Sequence, residues 1–318
     1  MSNYKLANKD NWEGRISDQQ LYLHEKISFS SIKDPLPVTN NKTIALLGYS
    51  SDEGVRRNSG RVGAALGPDE IRKQLAKMPN HLKDNTRLID FGNLECKDQN
   101  LEEQQAKFTK AVSHLIKNRA TPILIGGSHD LAYAHYNGLL EHVKTKEKIG
   151  IINFDAHFDL RANTKENNSG TPFYQIAIDH QEKDQVIKYM TLGIRKDANT
   201  KDLFEFAEAH QVNYLFQKYF NMNYLEHVQL RLIQFLEDVD YVYTTIDLDG
   251  FSSAFAPGVS APSPMGFSPD IVLESLKLII DSGKLVGFDV VELNPNYDID
   301  DQTAKLAASL IHYIIHRL

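Results

Sequence analysis

The chain has 318 residues, 42% of them hydrophobic, and a formal net charge of −7; that length can bury one large core, and the mild acidity excludes general attraction to nucleic acid or an anionic membrane. Cys96 is its one cysteine, so no internal disulfide can form, which fits a reducing cytoplasm. The opening MSNYKLANKDNWEGR lacks the charged-then-apolar pattern of a signal peptide, and no apolar run approaches the roughly 20 residues of a membrane span.

Residues 1–40 are polar and irregular, with a Pro-containing connector, DPLPV. They read as an N-terminal extension packed on a main domain of residues 41–318. From there two patterns alternate. TIALLGYS (43–50) predicts a strand and PDEIRKQLAKM (68–78) has helical spacing. NTRLIDFG (85–92) and TPILIGGSHD (121–130) are strand-like, each followed by a helical stretch, 101–118 and 131–144. GIINFDAH (150–157) and IKYMTLGIR (187–195) precede a helix over 200–210. VNYLF (212–216) leads to a helix over 223–238, YVYTTIDLDG (241–250) to one over 268–283, and KLVGFDVVELNP (284–295) to one over 303–318. Ser268 followed by Pro269 suits a helix start and Gly283 a helix end. The strand runs are continuously apolar rather than alternating, as in strands buried on both faces. Strand–helix alternation implies an α/β fold, a mostly parallel sheet with helices on both faces. In such sheets ligands bind beyond the carboxyl ends of the strands.

Acids and histidines collect at those ends. GGSHD, with His129, closes one run; Asp155, His157 and Asp159 close another; Asp247 and Asp249 a third; Glu292 a fourth. Asp155, His157 and Asp159 are spaced i, i+2, i+4, which in extended chain puts them on one face. Each piece alone has an ordinary reading. A single histidine is usually structural, an Asp-x-Asp is often a turn or cap, and Glu292 could serve an ion pair. Together they make a shared site. Four carboxylates in one pocket repel strongly at low dielectric. Two divalent cations balance Asp155, Asp159, Asp247 and Asp249, with His129 and His157 supplying one imidazole to each. An oxygen-rich set with some nitrogen suits Mn²⁺ better than zinc in a closed thiolate cage. Two metals about 3.5–4 Å apart can hold a bridging water and lower its pKa toward neutrality. The other histidines read as surface or helix-face residues, and Cys96, before a polar loop, as a bystander rather than a nucleophile.

GGSHD, NFDAHFDLR, TIDLDGFSSAFAPGVSAPSPMGF and VVELNP resemble the motif blocks of the ureohydrolases, the arginase and agmatinase superfamily, over about residues 40–318. The resemblance implies a three-layer α/β/α fold around an eight-stranded, mostly parallel sheet. It also implies a dinuclear manganese centre, two Mn²⁺ per subunit, and assembly as a homo-oligomer. Carried over by motif, His129, Asp155, Asp159 and Asp247 would bind one ion. Asp155, His157, Asp247 and Asp249 would bind the other. Glu292 matches the family glutamate that contacts the planar cationic group of the substrate.

SDEGVRRNSGRVGAALGPDEIR (51–72), SGTPF (169–173) and NTKDLFEF (199–206) look most like the branch of this family that hydrolyses N-formimidoyl-L-glutamate to L-glutamate and formamide in histidine degradation. Agmatinases carry His-Gly-Thr where this chain has Ser169-Gly170-Thr171, and arginases place a shuttle histidine there. Such a substrate is small and has two carboxylates, so it needs fixed cations. Arg161, two residues after Asp159, and Arg57 and Arg61, after the first strand, are candidates, because a guanidinium binds carboxylates bidentately; each could instead pair with protein carboxylates at the rim. The expected chemistry is attack of a metal-bridging hydroxide on the formimidoyl carbon. Asp159, a water or Ser169 then carries the proton to the departing nitrogen. The competing readings are a urea-releasing ureohydrolase acting on a guanidino acid or agmatine, a mononuclear zinc deacetylase of similar fold, and a metal-binding scaffold descended from an enzyme.

Overall fold

The apolar runs converge on one sheet. A computed structural model describes residues 3–35, 41–144 and 146–318, so most of the DPLPV connector lies outside the described residues. Among these, the strands are β1 (Tyr4–Lys5), β2 (Ser28–Phe29), β3 (Lys42–Ser50), β4 (Thr86–Glu95), β5 (Ala120–Ile125), β6 (Ile149–Phe154), β7 (Lys188–Ile194), β8 (Asn213–Phe216), β9 (Tyr241–Asp247) and β10 (Leu285–Val291). The helices are α1 (Leu23–Lys26), α2 (Glu53–Arg57), α3 (Gly67–Ala76), α4 (Leu101–Lys117), α5 (Leu131–Leu140), α6 (Pro172–Gln181), α7 (Lys201–Ala209), α8 (Leu225–Glu237), α9 (Pro269–Asp281) and α10 (Gln302–Ile315).

The sheet order is β1-β4-β3-β5-β10-β9-β6-β7-β8, with β2 also on β4. From β4 to β8 every pairing is parallel. Successive strand residues bury on opposite sides. Ile44, Leu46, Ile123, Ile152 and Phe288 pack under α3, α8, α9 and α10. Ala45, Leu47 and Leu124 pack under α4 and α5, and Ile151 and Tyr243 under α5, α6 and α7. Both faces are covered, which is why these strands read as unbroken apolar runs. The observed fold is the three-layer α/β arrangement, its eight long strands joined by two short ones from the N-terminal segment.

That segment is pinned by chemistry as well as by Leu23, Ile27 and Ile32, all buried. Trp12 Nε1 donates to Asp90 Oδ2 at 2.8 Å. The same carboxylate takes Arg72 Nε at 2.8 Å and Nη2 at 2.9 Å.

The structure departs from the sequence reading in three places. Helix α6 carries no clear amphipathic stripe because Phe173, Gln175, Ile176 and Ala177 are all buried; a helix covered on several sides has no polar face to mark it. The short α2 was likewise hidden in a polar run. His135 does lie on a helix face, but on the face of α5 turned into the sheet, where it is wholly buried. Strands β5, β10, β9 and β6 are consecutive neighbours, so the four acid- and histidine-bearing ends lie side by side.

Candidate metal centre

Each cluster side chain sits at or just past a strand end, held there by local backbone. After β5, Gly127 N donates to Tyr49 O at 2.7 Å, and a Cβ at Gly127 would come within 1.9 Å of Ser51 O. Only glycine lets this loop close on β3, and the closure sets His129 at the start of α5. After β6, Asp155 Oδ1 accepts the His157 N–H at 2.7 Å, and Asp159 adopts φ +48°. After β9, Asp247 Oδ1 accepts the Asp249 N–H at 2.8 Å, closing a short 3₁₀ turn. After β10, Glu292 adopts φ +71° and Oε1 accepts the His129 N–H at 2.8 Å.

Asp155, His157 and Asp159 therefore do not share a strand face, as the i, i+2, i+4 spacing suggested. Strand β6 ends at Phe154, and a turn with a left-handed residue at Asp159 gathers them instead. A non-glycine residue at positive φ costs energy and is kept where the surroundings over-determine it. Here Asp159 and Glu292 both carry it.

Two groups of potential ligands result. One atom each of His129, Asp155, Asp159 and Asp247 lie within 4.8 Å of one another, and so do Asp155, His157 and Asp249. Asp155 belongs to both groups; Asp247 falls in the first alone. His129 Nδ1 lies 2.9 Å from Asp159 Oδ2, 3.0 Å from Asp247 Oδ2 and 3.4 Å from Asp155 Oδ2. None of these contacts has hydrogen-bond geometry, and Nδ1 is left without a hydrogen-bond partner, as is Asp249 Oδ1, which lies 3.3 Å from His157 Nδ1. The first group is the deeper: the His129 side chain is 1% exposed, that of His157 25%.

The electrostatics are those of a site missing counter-charge. Burial disfavours the His129 imidazolium, but Asp155, Asp159 and Asp247 outweigh burial and push it well above the ordinary histidine range. His157 is raised likewise, against its own burial, with Asp249 the leading cause. Burial, then the charges of Asp249 and Asp155, push Asp247 well up. Asp159 is raised by burial and by Asp155. Burial works to raise Asp155 too, but His129 and His157 hold it below the usual carboxylate range. Burial, reinforced by Asp249, pushes Glu292 up to about 8. Protons thus do the work that cations would do. His129 Nδ1 and Asp249 Oδ1, both buried without a hydrogen-bond partner, and the oxygen-rich donor set fit a pair of divalent ions of the manganese type.

The cluster floors a pocket of about 290 Å³ whose wall includes Asn58, Arg61, Arg161, Ser169 and Glu292. That is at the small end of the roughly 300–1,000 Å³ of small-molecule sites. Arg161 lies at the exposed rim; its Nη1 reaches Asn58 Oδ1 at 3.3 Å, and among the described residues it makes no ion pair. Asn58 Nδ2 donates to Ser169 Oγ at 3.0 Å. Arg61 lines the pocket but is partly engaged: Nε donates to Ser260 O at 2.9 Å, Nη2 to Val259 O at 2.6 Å, and its guanidinium sits 3.7 Å over the Tyr297 ring. Arg57 corrects an expectation. It is absent from the pocket wall and is paired with Glu53 at 2.9 Å, Glu102 at 2.8 Å and Glu166 at 3.5 Å. Three carboxylates saturate its fork, so it holds loops together and has no donor to offer a substrate.

Sequence reasoning missed Asn58, which carried no signal. It also missed Thr245 and Asp289, which stand behind His129. The signal for Asp289 was legible: an acid inside a strand buried on both faces needs a reason.

Three comparisons bear on this geometry. The model of the arginase family matches residues 42–316. A formimidoylglutamase of Clostridium tetani is 40% identical over 98% of this chain and 96% of its own length. One of Legionella pneumophila is 42% identical over 98% and 97%. Among solved structures, formimidoylglutamase from Bacillus subtilis superposes with a TM-score of 0.80 at 23% identity, covering 95% of this chain and 92% of that one. Trypanosoma cruzi formiminoglutamase with Mn²⁺ superposes with a TM-score of 0.77 at 21% identity, covering 90% and 96%.

Proposed function

The chain belongs to the arginase family, and on that footing we propose that it hydrolyses N-formimidoyl-L-glutamate to L-glutamate and formamide, a step of histidine degradation, with two Mn²⁺ as cofactor. The observation that carries the substrate is the near-full-length identity, 40–42%, to relatives named formimidoylglutamase. Support from the geometry is Arg161, a guanidinium without a carboxylate partner, in the same pocket as the acid–imidazole cluster.

In this reading His129, Asp155, Asp159 and Asp247 hold one ion. Asp155, His157 and Asp249, with Asp247 shared, hold the other. When bound, the ions supply Lewis-acid charge and an activated water. The chain's own residues do the rest. Arg161 takes a substrate carboxylate at the rim through its planar fork, with Arg61 contributing its remaining N–H groups. Glu292, in the pocket wall, faces the amidinium and orients the carbon to be attacked. Ser169 and Asn58 form a polar wall where other family members have a shuttle histidine. The C–N bond to glutamate breaks as water oxygen bonds to carbon, and Asp159 Oδ2 or Ser169 Oγ passes a proton to the departing nitrogen.

Residues 41–318 form the catalytic domain and residues 1–40 its extension. The enzyme is cytoplasmic and homo-oligomeric, with no nucleic-acid or membrane partner. In support, among the described residues no helix is long and apolar enough to cross a membrane, and α8 exposes Leu230 and Ile233 about one turn apart, apolar surface suited to a second copy.

The test is turnover of manganese-loaded protein with N-formimidoyl-L-glutamate, guanidinobutyrate, agmatine and arginine side by side. Formamide and glutamate from the first alone is the expected result. Urea from any of the others would keep the metal centre and overturn the substrate.

A further inference from the structure

Behind the cluster, between the sheet and α5, lies a polar hub. Asp289 on β10 and Thr245 on β9 are direct partners across the sheet, and both are wholly buried. Asp289 Oδ2 is 2.6 Å from Tyr243 Oη and 2.6 Å from His135 Nδ1. Asp289 Oδ1 is 2.5 Å from Thr245 Oγ1, and Thr245 Oγ1 is 3.1 Å from His129 Nε2.

The donor directions follow from the inventory. A carboxylate can only accept, so Tyr243, His135 and Thr245 all donate to Asp289. Thr245 has one proton and has given it to Asp289, so toward His129 its oxygen can only accept. A neutral His129 must then keep its proton on Nε2. Nδ1, aimed at Asp155, Asp159 and Asp247, where it has no hydrogen-bond partner, is the nitrogen that gives up its proton to a cation.

Stability does not account for this arrangement. Asp289 is a fully buried acid whose ion partner among the described residues is His135 alone. Among the described residues no lysine or arginine pairs with it. Apolar residues of similar volume would make a safer core, since buried charges gain little against their desolvation. His135 itself leaves Nε2 buried without a partner, tight against Gly287, where a Cβ would lie 2.6 Å from that nitrogen. Four polar side chains are thus spent on orienting one imidazole.

We propose that Asp289 is a positioning residue: through Thr245 it holds His129 in the Nε2–H tautomer with Nδ1 turned to the cation pocket, while His135 and Tyr243 hold Asp289. This rests on the metal reading above. Groups that orient a metal-ligating histidine typically matter about 10–100-fold in metal affinity.

The experiment is equilibrium titration of metal-stripped protein with Mn²⁺, counting free ion by its spin-resonance signal. Thr245→Val deletes the hydroxyl and keeps the shape; Thr245→Ser restores it. Wild type should bind two ions. Thr245→Val should weaken one of them by about 10–100-fold and spare the other, with turnover recovering as manganese is raised. Thr245→Ser should return both to wild-type affinity. Asp289→Asn should weaken the same ion, and the double variant should be no worse than the worse single one, since both act on one path. If Asp289→Asn does not fold, the Thr245 pair decides. Thr245→Val that binds both ions as wild type does would overturn the proposal. So would equal weakening of both ions together with a lower melting temperature, which would make the hub a piece of scaffold. Wild-type protein that takes up no manganese would sink the metal reading itself, a failure distinct from either.

Discussion

Glu292→Gln isolates one charge. The side chain is 4% exposed, and its Oε1 accepts the His129 N–H at 2.8 Å. Glutamine keeps that acceptor and nearly the same volume. The backbone strain at φ +71° is the same for either residue, so it cancels. Under the proposed function, what is lost is a carboxylate facing a cationic amidinium. In metal-free protein burial and Asp249 hold this carboxyl up to about 8, but two adjacent divalent cations favour its ionised form. Replacing a charge-assisted hydrogen bond by a neutral one costs about 0.5–2 kcal/mol, and a unit-charge pair at 4 Å and an effective dielectric of 20 contributes about 4 kcal/mol. The expected fall in kcat/KM is therefore roughly 2- to 1,000-fold, taking 1.36 kcal/mol per tenfold, with two manganese ions still bound. The assay is steady-state release of formamide, paired with metal content by atomic emission. Full kcat/KM with both ions bound would refute the role of Glu292; loss of metal would show that its charge supports the cluster instead.

Arg161→Ala should raise KM for the acidic substrate by about 10–100-fold, the loss of a charge-assisted contact of 1.5–3 kcal/mol, and Arg161→Lys should recover only part of it; an unchanged KM would remove Arg161 from substrate binding. Manganese affinity should rise with pH through neutrality. Though burial opposes it, the carboxylates keep His129 and His157 protonated in the metal-free chain well above the ordinary histidine range, and each must shed its proton to bind a cation. Calorimetric titrations in buffers of different ionisation enthalpy should show protons released on binding, and a heat independent of buffer would contradict this. Arg72→Ala should leave Asp90 buried without a cation and cost about 3–5 kcal/mol of stability, a large share of an ordinary total of 5–15 kcal/mol. It should move the urea midpoint without changing the slope, and a loss under about 1 kcal/mol would mean that Trp12 and the Gly92 N–H, which donates to Asp90 Oδ1 at 2.9 Å, satisfy Asp90 unaided.

The sequence by itself determined the class of fold and the parts list of the site. Unbroken apolar runs alternating with helical spacing can only be strands covered on both sides, because exposed strands would show polar alternation. Acids and histidines ending four such runs had to meet at one sheet edge. Helix α6 escaped because burial on several sides erased its stripe, and Arg57 was misplaced because nothing local tells a guanidinium which carboxylate it will meet. Two further decisions belonged to the tertiary structure alone. Strands β9 and β10, far along the chain, insert between β5 and β6, so His129 and Asp155 face each other across strands that come much later in the sequence. Strand order is set by how crossovers and helices pack, a long-range matter that local pattern does not encode. The same pairing brought Thr245 beside Asp289 and aimed one nitrogen of His129 at the cluster.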